Sequence, residues 1–347
     1  MKLEEFLAGP AGGLTDGNQD RSEFGKRICI RRNISGFHFP EKLSMQERQK
    51  VLSEIQRALD AAGLDAEEYP LAGMDSNERQ VLLDRGMIPK KSLRNLNGIS
   101  LFLIGDGHIS LLSNALDHIC LNAAGHADSF SGSWKDLTQI DDKLSQSIRY
   151  AYDNQFGFLT GSIFNTGTGL AAEAMLFLPG LTANGRIRDL ARAVERQGFS
   201  IRSLTGNDSW NSAFYEIKST QTIGVQEEKY MQRFDSLLSD INDIENQYWE
   251  KMFKGSEITI RDQIWRALGT LKYARQIDEQ EAMKLAGLIK AGVKEKMIPD
   301  KNGLLFHQIF SLVSNNQVAY TTHKEMDDAQ SINAWRAALL RDAVKEL

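Results

Sequence analysis

Cysteine is nearly absent: Cys29 and Cys120 are the only 2 in 347 residues. That is too few for a disulfide framework. Such sparing use suits a reducing compartment, so the cytoplasm is the expected location. Long apolar runs are absent too, since no stretch reaches the ~18–20 residues that a spanning helix needs, and membrane insertion is not expected. The opening MKLEEFLAGPAGG is acidic and lacks a cationic segment followed by an apolar one, so it does not read as a secretory signal. Positive charge is not in excess: 41 Lys+Arg stand against 46 Asp+Glu, a formal net charge of -5. This argues against binding nucleic acid through a broad basic face, while leaving room for a local anion pocket. His38, His108, His126, His307 and His323 show no metal-ligand spacing with a carboxylate or cysteine, so no metal site is expected. No repeat of solenoid period occurs.

The remaining composition is that of ordinary globular material, 41% hydrophobic and 25% charged, in a chain longer than one domain usually needs. Residues 1–22, rich in Gly, Asp, Asn and Pro, read as a flexible, poorly ordered tail. RICIRRNISGF alternates as a strand does. SMQERQKVLSEIQRALDAAG reads as an amphipathic helix with Ser44 as N-cap and Gly63 as terminator. GISLFLIGDGHISLLSN reads as a hairpin turning at Gly105-Asp106-Gly107, and TQIDDKLSQSIRYAYD as a helix. A Gly-Thr-Gly turn, Gly167 to Gly169, then leads into LAAEAMLFLPGL, an apolar pattern of helical spacing. The turn reads either as an anion-holding helix N-terminus or as a turn only.

GRIRDLARAVERQG is a further helix stopped by Gly198, and FSIRSLTG and AFYEIKSTQTIG are strands around the polar loop NDSWNS. Beyond Val225 the pattern is almost wholly helical. A long helix over 226–251 is followed by TIRDQIWRALGTLKYAR and DEQEAMKLAGLIKAGVKEK as an antiparallel pair. A composition shift near Gly255 divides a domain over 23–254 from a helical one over 255–347.

Three separated segments, correctly ordered and spaced, carry a resemblance. FGFLTGSIFNTGTGLAAEAMLFLP resembles the signature loop of the guanidino kinases, the ATP:guanidino phosphotransferases that include creatine kinase, arginine kinase and the bacterial protein-arginine kinase. That loop reads G-Y-L-T-x-C-P-T-N-x-G-T-G-L-R-A-S-V-M-x-H-L-P, and Gly157, Leu159, Thr160, Asn165, Gly167, Thr168, Gly169, Leu170 and Met175 match it. KRICIRRNISGFHFP is similar to the family's S-R-V-R-L-A-R-N-I-x-G-F-x-F-P, keeping Arg27, Arg32, Asn33, Gly36, Phe37, Phe39 and Pro40. ISLLSNALDHI resembles S-I-M-I-N-E-E-D-H-I, keeping Asn114, Asp117 and His118. The helical tail is most similar to that of the bacterial protein-arginine kinase. The resemblance implies an α+β fold: a glutamine-synthetase-like catalytic domain with a curved, mainly antiparallel sheet flanked by helices, then a helical C-terminal domain. It also implies a homodimer. The partners it implies are an active kinase, a zinc-binding activator or a quality-control protease.

Phosphoryl transfer from ATP and Mg²⁺ to a guanidinium needs phosphate charge neutralised while donor and acceptor are held in line. The resemblance implies a cage of five arginines, a pair of carboxylates and a thiolate for this work. Arg27 and Arg202 remain of the arginines, whereas Cys29, Cys120 and Ala171 stand at the other three places. The two glutamates have become Ala115 and Leu116, the thiolate position is Ser162, the histidine position after the turn is Phe177, and Glu173 replaces a serine. Asp117 and Asp208 are the candidate substitutes for the lost carboxylates. Arg27, His118, Asn165, Gly167, Gly169 and Arg202 are the implied nucleotide-binding residues, with Arg31 as a further candidate cation. His118 also reads as a core histidine.

Three functions are therefore open. The first is a pseudokinase with a regulatory or scaffolding role. The second is a working phosphotransferase with a rebuilt site, and the third a small-anion or metabolite binder that reuses the cleft. The resemblance implies that Cys29 and Cys120 fill slots facing one phosphate pocket, so they are expected either as a redox-sensitive or soft-metal pair or as two small space-filling residues. INAWRAALLR is similar to the phosphoarginine-binding helix R-D-x-x-R-A of the bacterial protein-arginine kinase but keeps only Arg336. The alternative is a helix that packs Trp335 and Leu339 inward.

Overall fold

Strands form where apolar residues alternate, and helices end where their caps stand. The computed structural model describes residues 2–9, 21–124, 129–206, 209–301, 303–324 and 328–347. In chain order the first elements are α1 (Leu3–Ala8), β1 (Glu23–Arg32), α2 (Met45–Ala61), β2 (Ala66–Pro70), α3 (Ser76–Asp84), β3 (Ser100–Ile104), β4 (Ile109–Ser113) and β5 (Ile119–Ala124). They continue with α4 (Phe130–Ser145), β6 (Tyr152–Asp153), β7 (Gly157–Phe158), β8 (Leu170–Phe177), α5 (Pro179–Ala183), α6 (Ile187–Arg196), β9 (Phe199–Ser203) and β10 (Phe214–Ser219). The rest is helical: α7 (Glu227–Tyr273), α8 (Glu279–Lys294), α9 (Leu305–Ser311), α10 (Asn315–Thr322) and α11 (Ala329–Ala343).

Eight strands make one sheet in the order β2-β3-β4-β5-β1-β8-β10-β9, while β6 and β7 pair separately. The pairs β2/β3, β3/β4, β4/β5 and β5/β1 are antiparallel. This is the expected α+β class, a mainly antiparallel sheet with flanking helices and a helical C-terminal region.

The chain divides into two compact units. The first is built mainly of Lys26–Glu173 and Lys218–Ser236, the second mainly of Ala174–Ile217 and Leu237–Leu347. In the first, Ile28 and Ile30 are fully buried, so the alternation of β1 sends Arg27, Cys29 and Arg31 to the opposite face. Helix α2 begins as its sequence predicts: the Ser44 side chain accepts the Glu47 N–H, and the Glu47 carboxylate accepts the Ser44 N–H at 2.8 Å. Helices α2 and α4 pack together, α4 lies on β5, and Phe130 stacks on Phe234 with centroids 4.3 Å apart.

In the second unit Phe24 meets Phe214, Phe306 and Phe310 edge-on at 5.6, 5.3 and 4.9 Å. The Glu245 carboxylate caps α5 by accepting the Gly180 and Leu181 N–H groups at 2.7 and 2.9 Å, and burial lifts its pKa to about 7 against those bonds.

Three elements differ from the sequence expectation. Residues Leu3–Ala8, expected within a flexible tail, form α1: Leu3 and Leu7 are buried, and Arg85 donates to the carbonyls of Phe6, Leu7 and Gly9. A long-range cation thus satisfies carbonyls that a short helix leaves open. Residues 10–20 of that tail lie outside the described residues. Helix α4 starts earlier than expected, because Ser129 caps it and Asp235 accepts the Phe130 and Ser131 N–H groups. It ends at Ser145, since 149–151 pair with 33–35 instead.

The pattern after Gly-Thr-Gly is strand β8, not a helix. Leu170, Ala172, Ala174 and Leu176 are buried while Ala171, Glu173 and Met175 are half-buried. Small alanines satisfy either periodicity, and pairing within the sheet overrides their helix preference. Helix α7 is two helices that meet at a kink at Ser256 (φ -142, ψ 29), next to Gly255, as the sequence expects of a long helix followed by a second one.

Candidate functional site

A cavity of about 320 Å³ opens in the first unit, over the face of β1 that carries Arg27, Cys29 and Arg31. Leu112 of β4, Cys120 and Asn122 of β5, the stretch Ala171 to Glu173 of β8, and Lys218 and Ser219 of β10 complete its sheet-borne lining. Ala115, Leu116, Asp117 and Asn165 line it from loops, as do Gly86 and Met87.

Glu173 dominates its electrostatics. One carboxylate oxygen is in contact with the Arg27 guanidinium and the other lies 2.8 Å from the Lys218 ammonium. Arg27 also donates to the Arg85 carbonyl at 2.9 Å. Gly86, at φ +65, makes this possible, because a Cβ there would collide with the guanidinium.

Arg31 Nη1 is buried and has no hydrogen-bond partner among the described residues. The Cys29 sulfur, first, then Cys120 and Asp117 hold this guanidinium charged beyond the ordinary arginine value, against burial. Asp117 Oδ1 accepts the Asn33 amide and the Gly161 N–H, both at 2.6 Å, while its Oδ2 has no partner among the described residues. Burial raises its pKa, opposed by those two bonds and by Arg31. The Cys29 and Cys120 sulfurs are 2.8 Å apart, and both thiols are free.

Of the residues implied to bind nucleotide, the structure brings only Arg27 and Asn165 to the cavity. His118 is fully buried elsewhere: its Nδ1 accepts the Ile34 N–H at 2.9 Å and its Nε2 lies 2.9 Å from the His38 carbonyl. That pairing suits the neutral ring with the proton on Nε2, and burial lowers its pKa to about 4. Because the folded value lies below the unfolded one near 6.5, the neutral ring's stabilisation is complete above about pH 6.5 and lost as pH falls towards 4. The unfolding free energy should therefore fall by about 3 kcal/mol across that window in wild type, and by distinctly less in His118→Gln, measured by urea titration at each pH. Equal pH slopes in the two proteins would refute the assignment.

Gly167 and Gly169 do not line the cavity; they make a turn. Gly167 exchanges backbone bonds with Phe158, and Gly169 (φ +67) accepts the Arg31 N–H at 2.9 Å, where a Cβ would strike the Arg31 carbonyl. With no helix following, the turn has no helix N-terminus to offer an anion. Arg202 belongs to the second unit and pairs with Glu216. Ser162 also lies off the lining; its carbonyl accepts the Thr160 hydroxyl at 2.7 Å. Ala115 and Leu116 do line it, so apolar groups stand there. Phe177, at the implied histidine position, packs on Phe214 in the second unit at 4.9 Å. Asp208 and His126 lie outside the described residues.

Sequence reasoning missed Lys218 and the embrace of Glu173. Lys218 carries no signal in the sequence, since only the sheet brings it to Glu173, which stands out there only as a replacement for a serine. Arg31 was legible, sharing the period-2 face of Arg27 and Cys29. Among the described residues, no group of three or more His, Cys, Asp or Glu could hold a metal ion, and no helix is long and apolar enough to cross a membrane.

In helix α11 the expected inward residues are not the most buried ones. Trp335 and Leu339 are half-buried, with the Lys324 ammonium 4.9 Å from the Trp335 ring centroid, whereas Ile332, Arg336, Ala337 and Leu340 are buried.

A sequence model described as ATP:guanido phosphotransferase, C-terminal catalytic domain, matches residues 48–248. Another, described as the protein-arginine kinase McsB C-terminal domain, matches residues 257–347. The protein-arginine kinase of Clostridium tetani is 28% identical over 284 residues, 82% of this chain and 84% of that one. The protein-arginine kinase of Staphylococcus saprophyticus is 28% identical over 337 residues, 95% of this chain and 97% of that one. Among solved structures, lombricine kinase superposes with a TM-score of 0.55 at 18% identity, covering 69% of this chain and 70% of that one. The substrate-free duplicated taurocyamine kinase from Schistosoma mansoni gives 0.56 at 18% identity, covering 81% of this chain and 44% of that one. These two likenesses concern the fold, and the sequence matches concern descent: the chain belongs to the ATP:guanido phosphotransferase family, within its protein-arginine kinases.

Proposed function

We propose that this family member is a pseudokinase, a protein-arginine kinase homologue that has given up phosphoryl transfer for a regulatory or scaffolding role. The observation that carries this reading is Glu173, whose carboxylate sits between Arg27 and Lys218, where a phosphate would need those cations. A triphosphate would have to displace a carboxylate already held by two charge-assisted contacts. The cavity's residues therefore do not fit ATP with Mg²⁺, the cofactor that family membership implies. Each arginine–phosphate contact contributes about 1.5–3 kcal/mol. Three such arginines replaced by Cys29, Cys120 and Ala171 would weaken phosphate binding by about 4–9 kcal/mol, roughly three to six orders of magnitude, if additive. Ala115 and Leu116 leave no carboxylate at the two places where the family has its glutamates.

On this reading the protein works in the cytoplasm as a homodimer and through partners. These are an active kinase, a zinc-binding activator or a quality-control protease.

The test is a calorimetric titration with ATP and Mg²⁺, followed by an assay for phosphoarginine on an arginine-rich protein. No heat up to millimolar nucleotide and no phosphoarginine are expected. Micromolar binding with transfer overturns the reading. One observation favours the second reading, an active phosphotransferase: Asp117 lines the cavity with Oδ2 unpartnered among the described residues, as a rebuilt proton acceptor would be. Transfer that Asp117→Asn abolishes would establish it.

A further inference from the structure

We propose that Cys29 and Cys120 are a reversible redox pair, a dithiol in the cavity wall that hydrogen peroxide converts to an intramolecular disulfide. Strands β1 and β5 pair with Cys29 opposite Asn122 and Arg31 opposite Cys120, so the cysteines are diagonal neighbours on one face of the sheet. Diagonal neighbours ordinarily stand ~7–8 Å apart, a gap that long side chains span more readily than short ones, so the proximity of this pair is carried by the sulfur contact itself. Here the sulfurs are 2.8 Å apart and both line the cavity. A disulfide needs about 2.05 Å, so closure asks for a sulfur displacement of roughly 0.8 Å.

The two thiols are not equivalent. The Cys29 thiol is held below its ordinary value, chiefly by the contact with Cys120, with Arg31 and Arg27 assisting and burial opposing. Cys120 is pushed up by that same contact and by burial. Cys29, between Arg27 and Arg31 on β1, is the better placed of the two to act as thiolate, and Cys120 lies beside it to resolve the product. A cavity of about 320 Å³ with charged and polar groups in its lining gives a molecule as small as a peroxide ample room. Two cysteines that merely filled space would need neither the opening nor the flanking guanidinium groups.

The chemistry balances. The Cys29 thiolate attacks one peroxide oxygen, the O–O bond breaks, and hydroxide leaves and takes up a proton to become water; Cys29 is now a sulfenic acid. The Cys120 sulfur then attacks Cys29 Sγ, the S–O bond breaks, and the departing hydroxide carries off the Cys120 proton as a second water. Two thiols and one peroxide become one disulfide and two waters, a two-electron oxidation of the protein. A dithiol reductant such as dithiothreitol reverses it by exchange.

The experiment uses the full chain, reduced and desalted, exposed to stoichiometric hydrogen peroxide and quenched with an alkylating reagent in denaturant. Intact mass spectrometry should show a chain lighter by two hydrogens with neither thiol alkylated, and peptide mapping should link Cys29 to Cys120. Dithiothreitol should restore both thiols. The native chain should close about tenfold or more faster than the chain in guanidinium chloride, because the fold supplies the proximity. Cys29→Ser and Cys120→Ser should each abolish the mass loss while keeping the wild-type circular dichroism.

Two alkylatable thiols after peroxide, oxidation to sulfinic acid without a link, links only between chains, or equal rates folded and unfolded would each overturn the proposal. No nucleotide enters the measurement, so its outcome is independent of whether ATP binds.

Discussion

Arg32→Ala should lower the unfolding free energy by about 3–5 kcal/mol, one of the two largest effects expected of a single substitution here. Arg32 is 3% exposed and sits at a junction of three segments. Its Nε and Nη2 donate to Asp141 Oδ2 at 3.0 and 2.7 Å, and its Nη1 donates to the Arg31 and Thr168 carbonyls at 2.9 Å. Its guanidinium carbon lies 3.5 Å from the centroid of the Phe158 ring. Removing it leaves the buried Asp141 carboxylate without its cation, and the cost of that orphaned charge exceeds the worth of the pair itself. It also cuts the tie to Thr168, in the turn that leads into β8.

Urea titration measures the effect, and Arg32→Lys should recover only part of it, because an ammonium cannot fork to Asp141 and two carbonyls together. A loss below about 1 kcal/mol, the range of a surface pair, would show that the junction is not what it appears in the structure.

Arg336→Ala should cost a similar amount, about 3–5 kcal/mol, within the helical C-terminal region. Arg336 is 0% exposed, in the middle of α11. It donates to the Ile277 carbonyl at 2.9 Å, the Leu312 carbonyl at 3.2 Å and Asn333 Oδ1 at 3.0 Å, and it contacts Asn315 Oδ1. Each charge-assisted bond contributes about 1.5–3 kcal/mol, less than additively within one cluster. Four of its five N–H groups are taken up by partners within the fold.

The substitution therefore separates two roles for the one arginine kept from the phosphoarginine-binding pattern. A large fall in the denaturation midpoint with little change in phosphoarginine affinity is expected. Unchanged stability with lost phosphoarginine binding would assign Arg336 to ligand reception instead.

The two arginines teach the same lesson about motifs. Arg27, Arg32, Arg202 and Arg336 were all legible as conspicuous arginines in the right order and spacing, yet each meets a different fate. Arg27 reaches the cavity and is covered by Glu173; Arg202 pairs with Glu216; Arg32 and Arg336 are buried ties between segments. A motif records that a cation stands at a position. What compensates it depends on residues that adjoin it only after the sheet has formed.

Local chemistry was readable because it acts over a few residues. The capping box of Ser44 and Glu47, the hairpin of β3 and β4, the alternation that sends Arg27, Cys29 and Arg31 to one face, and the ordered segments of the family were all determined by the sequence. Tertiary structure decided the rest. The alanine-rich stretch after Gly169 suits helix and strand about equally, and a place in the sheet made it β8. Leu3–Ala8 is too short to hold a helix unaided, and Arg85 and a buried face hold it. Only the register of β1 against β5 brings two cysteines to 2.8 Å, and only the closing of the sheet sets Glu173 between Arg27 and Lys218. Charge and thiol chemistry depend on distances of a few ångströms between residues far apart in the chain, and those distances exist only in the folded protein.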